Sequence, residues 1–379
     1  MSWRIALSLL LALAAAACRD QTSAEPTLQV SQVMSGDAGD AFLRAVEPRE
    51  FIFPRDHGAH PGFQTEWWYF TGRLDGPDKQ VFGFQLTVFR FLLDPMAAPP
   101  EPGRQTSAAL FMGHFAVTDV AASAFHAAER FSRERAGLAQ ASLERLDVVL
   151  EDWDMASDGA SDGASEGDSF VLRARDGGYG INLRLRPRVG PVLQGEAGLS
   201  RKSASPGNAS YYYSMPVLDT SGRLDTPRGS FQVTGRSWLD REWSTSALDP
   251  DQAGWDWFSL DLGDDTQLMV YRLRDRAGGQ HPYSAGSLVR RGQVQRLSAD
   301  DFQLQVERYW RSPHSGARYP SVWLLELPGQ ELSLRVKPLL EDQELNLAFR
   351  YWEGVVEAEG TMAGTAVAGR GYVELTGYE

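Results

Sequence analysis

Two carboxylates flank one arginine between two tryptophans in Ser237-Trp238-Leu239-Asp240-Arg241-Glu242-Trp243-Ser244. A guanidinium can donate to carboxylates through a planar fork. If the tryptophans bury the group, its charges must be paired or one carboxyl must keep a proton. A protonated acid beside aromatic faces can protonate an alkene and stabilise the cation that results. Asp240 and Glu242 are therefore candidate acids, with Arg241 tuning their pKa. A structural ion pair bracing the junction between domains is the alternative reading of the same residues.

Aromatic clusters supply the second ingredient. Trp67-Trp68-Tyr69, Tyr211-Tyr212-Tyr213-Ser214 and Trp255-Asp256-Trp257 would each put rings on both faces of a strand, and the half that does not enter a core suits a lipophilic ligand. Glu66, Trp67, Tyr69, Tyr212, Trp243, Trp255, Trp257 and Tyr271 are the candidate ligand-binding residues. His57 and His60, followed by Glu66, sit in a Gly-Pro-rich loop and read as hydrogen-bonding posts, so no metal site is assigned. No cofactor is assigned either, because no Gly-rich phosphate loop, HExxH or Ser-x-x-Lys pattern occurs. Gly159-Ala160-Ser161-Asp162-Gly163 spells a hydrolase nucleophile pattern, but it belongs to an acidic four-residue repeat and reads as a hairpin loop.

These residues need a β framework. Phe82, Phe84, Leu86 and Val88 alternate with Val81, Gly83, Gln85 and Thr87, and similar short runs separated by turn residues recur to Tyr372–Leu375. That pattern predicts antiparallel β structure. Helical periodicity is scarce: one short helix is expected within Ala121 to Leu146, and another over Ala299 to Val306, entered at Ser298. The hairpin spelled by Glu66–Leu74 and Gln80–Leu86 is spelled again by Trp255–Leu262 and Gln267–Arg272, each copy turning through acidic residues, which predicts a duplicated β-domain.

The N-terminus predicts export. Arg4 precedes an apolar stretch, Ile5 to Ala17, and then Cys18, the only cysteine. Residues 1–17 read as a signal peptide and Cys18 as a lipidated residue, with Arg19 favouring the outer membrane, facing the periplasm. Residues 18–45 read as lipidated cysteine and tether, 46–224 as the first domain and 225–379 as the second. A net charge of −13 without a basic stripe argues against nucleic acid as a partner.

Pro54-Arg55-Asp56-His57, Thr65 to Gly72, Trp238 to Ser244, Gly254 to Phe258 and Gly371 to Tyr378 resemble the AttH-like family, related to carotenoid 1,2-hydratases. The resemblance implies an all-β chain of two tandem lipocalin-like antiparallel β-barrel domains with few short helices, and a ligand site in or between them. It also implies an association with ABC-type permeases. One departure bears on activity: where the hydratase branch carries a functional histidine, this chain has Arg241. The expected function is a membrane-anchored lipoprotein that binds a lipophilic small molecule. The alternative is a hydratase, isomerase or cyclase acting on an isoprenoid or other lipophilic substrate, with Asp240 or Glu242 as acid. Hydrolysis is the weakest reading, for want of a nucleophile.

Overall fold

The computed structural model describes residues 41–94, 109–158, 169–245 and 248–378. The predicted signal peptide, Cys18, the tether as far as residue 40 and the Gly159–Gly163 pattern lie outside them. The first sheet has thirteen strands: β1 (Thr65–Asp75), β2 (Val81–Leu92), β3 (Ala109–Asp119), β4 (Ala124–Arg133), β5 (Ala139–Ala141), β6 (Asp147–Leu150), β7 (Trp153–Asp158), β8 (Ser169–Asp176), β9 (Tyr179–Pro187), β10 (Val192–Leu193), β11 (Leu199–Arg201), β12 (Ala209–Thr226) and β13 (Gly229–Ser244). The second has ten: β14 (Gln252–Asp261), β15 (Thr266–Asp275), β16 (Ala285–Arg290), β17 (Gln293–Ser298), β18 (Gln303–Arg311), β19 (Arg318–Leu327), β20 (Leu332–Pro338), β21 (Glu344–Asn346), β22 (Arg350–Met362) and β23 (Thr365–Leu375).

Both sheets follow one plan. Four strands run as an antiparallel meander, β1 to β4 and β14 to β17, and the last strand of each sheet returns to pair with its first, β13 on β1 and β23 on β14. The repeated hairpins of the sequence are β1–β2 and β14–β15. Each turns through left-handed acidic residues, Asp78 in one and Asp264 with Asp265 in the other. Aspartate tolerates that region better than most residues. Each sheet curls around its own apolar core. In the first sheet, Arg130 of β4 reaches Glu151 at 2.7 Å across the near-closure.

Alternation decides which side chains enter those cores. Trp68, Phe70 and Leu74 of β1 lie opposite Val88, Leu86 and Phe82 of β2, and all six belong to the first core. Between them, Trp67, Tyr69 and Thr71 point the other way, toward the second sheet. The outer faces of β1 and β2 pack against β23 and β22. Gly83 permits that approach, because a Cβ there would sit 3.0 Å from Val355. Thr118 donates to Gln343 at 2.7 Å, and Arg370 meets Asp75 at 3.2 Å, so polar contacts fasten the seam as well.

Several expectations need correction. The division was expected at residue 224, but β13 pairs with both β12 and β1, so the first sheet runs on to Ser244. The Thr226 to Gly229 turn joins two long strands and is not a linker. No helix forms within Ala121 to Leu146; Ala124–Arg133 is β4, laid against β3 with Ala127 opposite Ala116. Pairing overrides the helical propensity of its alanines. At Ser298 only a single 3₁₀ turn, Ala299–Asp301, appears, with Asp301 accepting from Ser298 N at 2.7 Å. The tether ends earlier than residue 45, for Leu43 N donates to Gly62 O at 2.8 Å and Ala45 is buried in the first core.

Candidate functional site

The Asp240 to Trp243 cluster lies on β13, in the first sheet, and alternation splits it in two. Leu239, Arg241 and Trp243 enter the first core or its buried rim, whereas Trp238, Asp240 and Glu242 face the seam. Arg241 therefore donates to neither neighbouring carboxylate. Its side chain meets Glu66, the carbonyls of Gly58 (2.6 Å), Glu242 (3.1 Å) and Trp67 (3.2 Å), and His60, and its guanidinium lies 4.0 Å from the Trp68 ring centre. Arg90 pairs with Glu66 from the other side at 2.9 Å. Burial works to raise the Glu66 carboxyl, but Arg241, the His60 hydrogen bond and Arg90 outweigh it and hold it well below the usual range.

Three sequence-derived roles are overturned by this packing. Arg241 is a structural cation, not a tuner of Asp240. Glu66 is its buried counter-charge and Trp243 stacks on His60 at 3.6 Å, so neither faces the ligand cleft. His57 and His60 are the hydrogen-bonding posts expected of that loop: His57 contacts the Tyr213 hydroxyl at 2.5 Å, and burial followed by the Arg241 charge pushes its imidazole down to about 4. Among the described residues no group of three or more His, Cys, Asp or Glu is arranged to hold a metal.

The seam contains an aromatic cleft with a cavity volume of about 80 Å³. Trp67, Tyr69, Tyr212, Asp240 and Glu242 form one wall, and Trp255, Trp257 and Tyr271 face them from the second sheet. Eight predicted site residues thus converge here. Phe89, Lys202, Leu248, Leu273, Tyr351 and Glu374 complete the lining and were missed. Parity held a clue for one of them: Glu374 stands two residues from Tyr372, on the same face of β23. Lys202 carried no such signal, because its loop shows no period.

Asp240 is enclosed by donors. Its Oδ1 accepts from Ser214 (2.5 Å) and the Trp238 indole (2.7 Å), and Oδ2 lies 2.7 Å from the Tyr212 hydroxyl. Burial raises its pKa to about 7, against the pull of those three hydrogen bonds and with a smaller push from Glu242. With Oδ1 already accepting twice, a proton on Asp240 belongs on Oδ2, beside Tyr212. That leaves the Tyr212 hydroxyl free to turn toward the cleft while accepting from the Trp257 indole at 3.3 Å.

Glu242 has a different commitment. It pairs with Lys202 at 3.0 Å and accepts from Ser210. Burial pulls the Lys202 ammonium down, but the charges of Glu242 and Tyr271 outweigh it and leave the pKa raised. The ammonium also sits 4.8 Å from the Tyr271 ring centre and 3.1 Å from Ser200. On the second sheet, Glu374 lies directly opposite Glu353 in the β22–β23 register. Burial, with the Asp240 and Glu242 charges adding to it, pushes Glu374 up to about 8 despite the Trp255 indole 3.1 Å away. Glu353 is raised further, by burial and then by Glu374. Near pH 7 the cleft thus holds one compensated ion pair, a largely protonated Glu374 and an Asp240 poised between its two forms, a lining with little net charge that suits a lipophile.

Comparison with known proteins agrees with this architecture. The family model described as AttH-like matches residues 44–378. A crystal structure of a protein assigned as an AttH in Nitrosomonas europaea superposes with a TM-score of 0.78 at 33% identity, over 89% of this chain and 100% of that one. Kievitone hydratase from Nectria haematococca shares the fold, with a TM-score of 0.65 at 15% identity over 89% of this chain and 98% of that one. Dehydratase asqC of Emericella nidulans is 24% identical over 197 residues, 49% of this chain and 54% of that protein; the chain spans about half the length of this curated relative.

Proposed function

The chain belongs to the AttH-like family, and from that premise we propose that it is an acid–base enzyme of the hydratase or dehydratase type acting on a lipophilic alkene or the corresponding alcohol. The observation that carries the proposal is Asp240, a buried carboxyl with a pKa of about 7 in a cleft walled by tryptophan and tyrosine rings. A general acid works best when its pKa lies near the working pH. Two of the matched proteins bear the names hydratase and dehydratase, which supports the same class.

In the hydration direction the Asp240–Tyr212 pair delivers a proton to one alkene carbon, whose π electrons form the new C–H bond. The cation left on the other carbon faces Trp67, Trp255, Trp257 and Tyr69, whose ring faces stabilise it. A water oxygen then forms the C–O bond and gives up one proton, so the product gains the elements of water. Dehydration is the reverse. Glu242, committed to Lys202, is the weaker choice of acid, and the Lys202 ammonium is positioned to hold an oxygen on the substrate. Carriage of a lipophile, with handover to an ABC-type permease, would use the same cleft; the proton-holding Asp240 favours chemistry over carriage. The proposal keeps the lipid anchor at Cys18, with the body in the periplasm.

Purified protein incubated in ¹⁸O-labelled water with lipids extracted from the producing cells tests this reading. Mass spectrometry should find ¹⁸O in a lipid hydroxyl, and Asp240→Asn should lower the rate by about 10²-fold or more. A protein that retains lipid yet incorporates no label would establish carriage instead.

A further inference from the structure

The reaction above leaves the proton lost by water without a destination, and a buried chain of three residues at one end of the cleft supplies it. Tyr351 of β22 lines the cleft, and its hydroxyl lies 2.8 Å from Nδ1 of His114 on β3. Nε2 of His114 lies 3.1 Å from Oε1 of Glu129 on β4, its direct partner in the β3–β4 register. His114 is completely buried, so its two ring nitrogens have to be satisfied by these groups. A carboxylate accepts only, which puts the imidazole proton on Nε2 and leaves Nδ1 as an acceptor. Gln85 donates to the Tyr351 oxygen at 3.2 Å, so the phenol proton is directed at His114.

We propose that Tyr351 is the catalytic base that receives the proton of the attacking water, with His114 and Glu129 as the positioning relay behind it. The order hydroxyl, imidazole, carboxylate is that of a nucleophile–base–orienter triad, here serving proton transfer. As the water oxygen bonds to the substrate cation, a water proton moves to the Tyr351 oxygen and the phenol proton moves to His114 Nδ1. The imidazolium formed is held by Glu129; once product leaves, the relay runs backward, His114 Nδ1 returning a proton to the Tyr351 oxygen and Tyr351 giving one to the water that refills the cleft, from which Asp240 is reprotonated. Burial, then the Glu353 and Glu374 charges, raises the Tyr351 phenol well above its ordinary value. A standing phenolate is therefore disfavoured, and the two proton movements occur together. Glu129 and Tyr351 are the titratable groups hydrogen-bonded to His114, and Glu353 and Glu374 act on Tyr351 from β22 and β23.

Acid and base thus belong to different sheets, Asp240 to the first and Tyr351 to the second, and the cleft between them needs both. This inference rests on the hydratase or dehydratase reading. Its test uses the same lipid extract in ¹⁸O-labelled water, with lipid occupancy followed by native mass spectrometry. Tyr351→Phe and His114→Gln should each lower ¹⁸O turnover by about 10²-fold while leaving lipid occupancy at the wild-type level, and Glu129→Gln should lower it by about 10-fold. Thermal unfolding of each variant controls for folding; Tyr351→Phe, which removes one oxygen, decides the matter if His114→Gln folds poorly. Wild-type turnover in Tyr351→Phe would overturn the relay and leave the proposed reaction standing. Parallel loss of occupancy and turnover would reduce the three residues to a structural post. An inert wild type would remove the reaction and the relay together, an outcome distinct from relay failure alone.

Discussion

Replacing Asp240 with asparagine should lower activity by about 10²-fold or more and stabilise the protein, and the stabilisation should depend on pH in one direction only. An unfolded Asp240 ionises near 3.8, and the folded one at about 7. At about 1.4 kcal/mol per pK unit, ionising it in the folded state costs about 4 kcal/mol. Below pH 4 both states keep the proton and no cost arises. From pH 4 to 7 the unfolded chain loses its proton first, so wild-type stability falls as pH rises; above 7 the loss is complete. The amide of Asp240→Asn copies the protonated acid, with its oxygen accepting from Ser214 and Trp238 and its NH₂ donating to the Tyr212 hydroxyl. Its advantage over wild type should therefore grow from near zero at pH 4 to about 4 kcal/mol at pH 7 and then level off. Asp240→Asn also removes the charge that helps raise Glu374, which adds to its advantage in the same direction. Urea unfolding at pH 4, 5.5, 7 and 8 measures the difference. A difference constant across that range would show that folded Asp240 holds no proton, and the assignment of the acid would fall with it.

Other expectations follow from the two faces of β13. Trp243→Ala should cost about 3–5 kcal/mol of stability with little effect on the affinity of the remaining folded protein for a hydrophobic fluorescent probe, whereas Trp257→Ala should weaken probe binding several-fold. Arg241→Met leaves Glu66 buried without its principal counter-charge and should destabilise by about 3–5 kcal/mol, read by thermal unfolding. Lys202→Met strands Glu242 in the same way, and cutting turnover without shifting the pH dependence of Asp240→Asn relative to wild type would mark it as a substrate-holding group. Cys18→Ser should release the protein from the membrane fraction on cell fractionation, and continued sedimentation with membranes would refute the lipid anchor.

The fold was legible wherever alternation was strong. Runs such as Phe82 to Val88 show which residues face the core without knowledge of their partners, and the repeated hairpin exposed the duplication. Trp67, Tyr69, Tyr212, Trp255, Trp257 and Tyr271 could be named because aromatic residues outside a core need a second apolar environment. Partner choice was not legible. Adjacent charges in Asp240-Arg241-Glu242 suggested a local network, but neighbours on a strand point to opposite faces, and Arg241 found Glu66 across the β1–β13 register instead. His114 and Glu129 face each other across the β3–β4 register, but Tyr351 is remote in the chain and joins them only where the sheets pack, so neither spacing nor composition could announce the three together. The helix expected near Ala121 failed for the same reason: alanine propensity is local and strand pairing is not.

Because neighbouring residues of β13 serve different environments, the strand separates what can vary from what cannot. Arg241 and Trp243 fasten the first core, while Asp240 and Glu242, one step away along the backbone, look only into the cleft. A library confined to cleft-facing positions of β1, β13, β14 and β23, with the Glu242–Lys202 pair kept, should therefore explore new substrates at little cost in folding. The same number of changes at the intervening positions would yield mostly unfolded chains. Two packed sheets joined along their outer faces form a scaffold whose specificity can drift while its cores stand still.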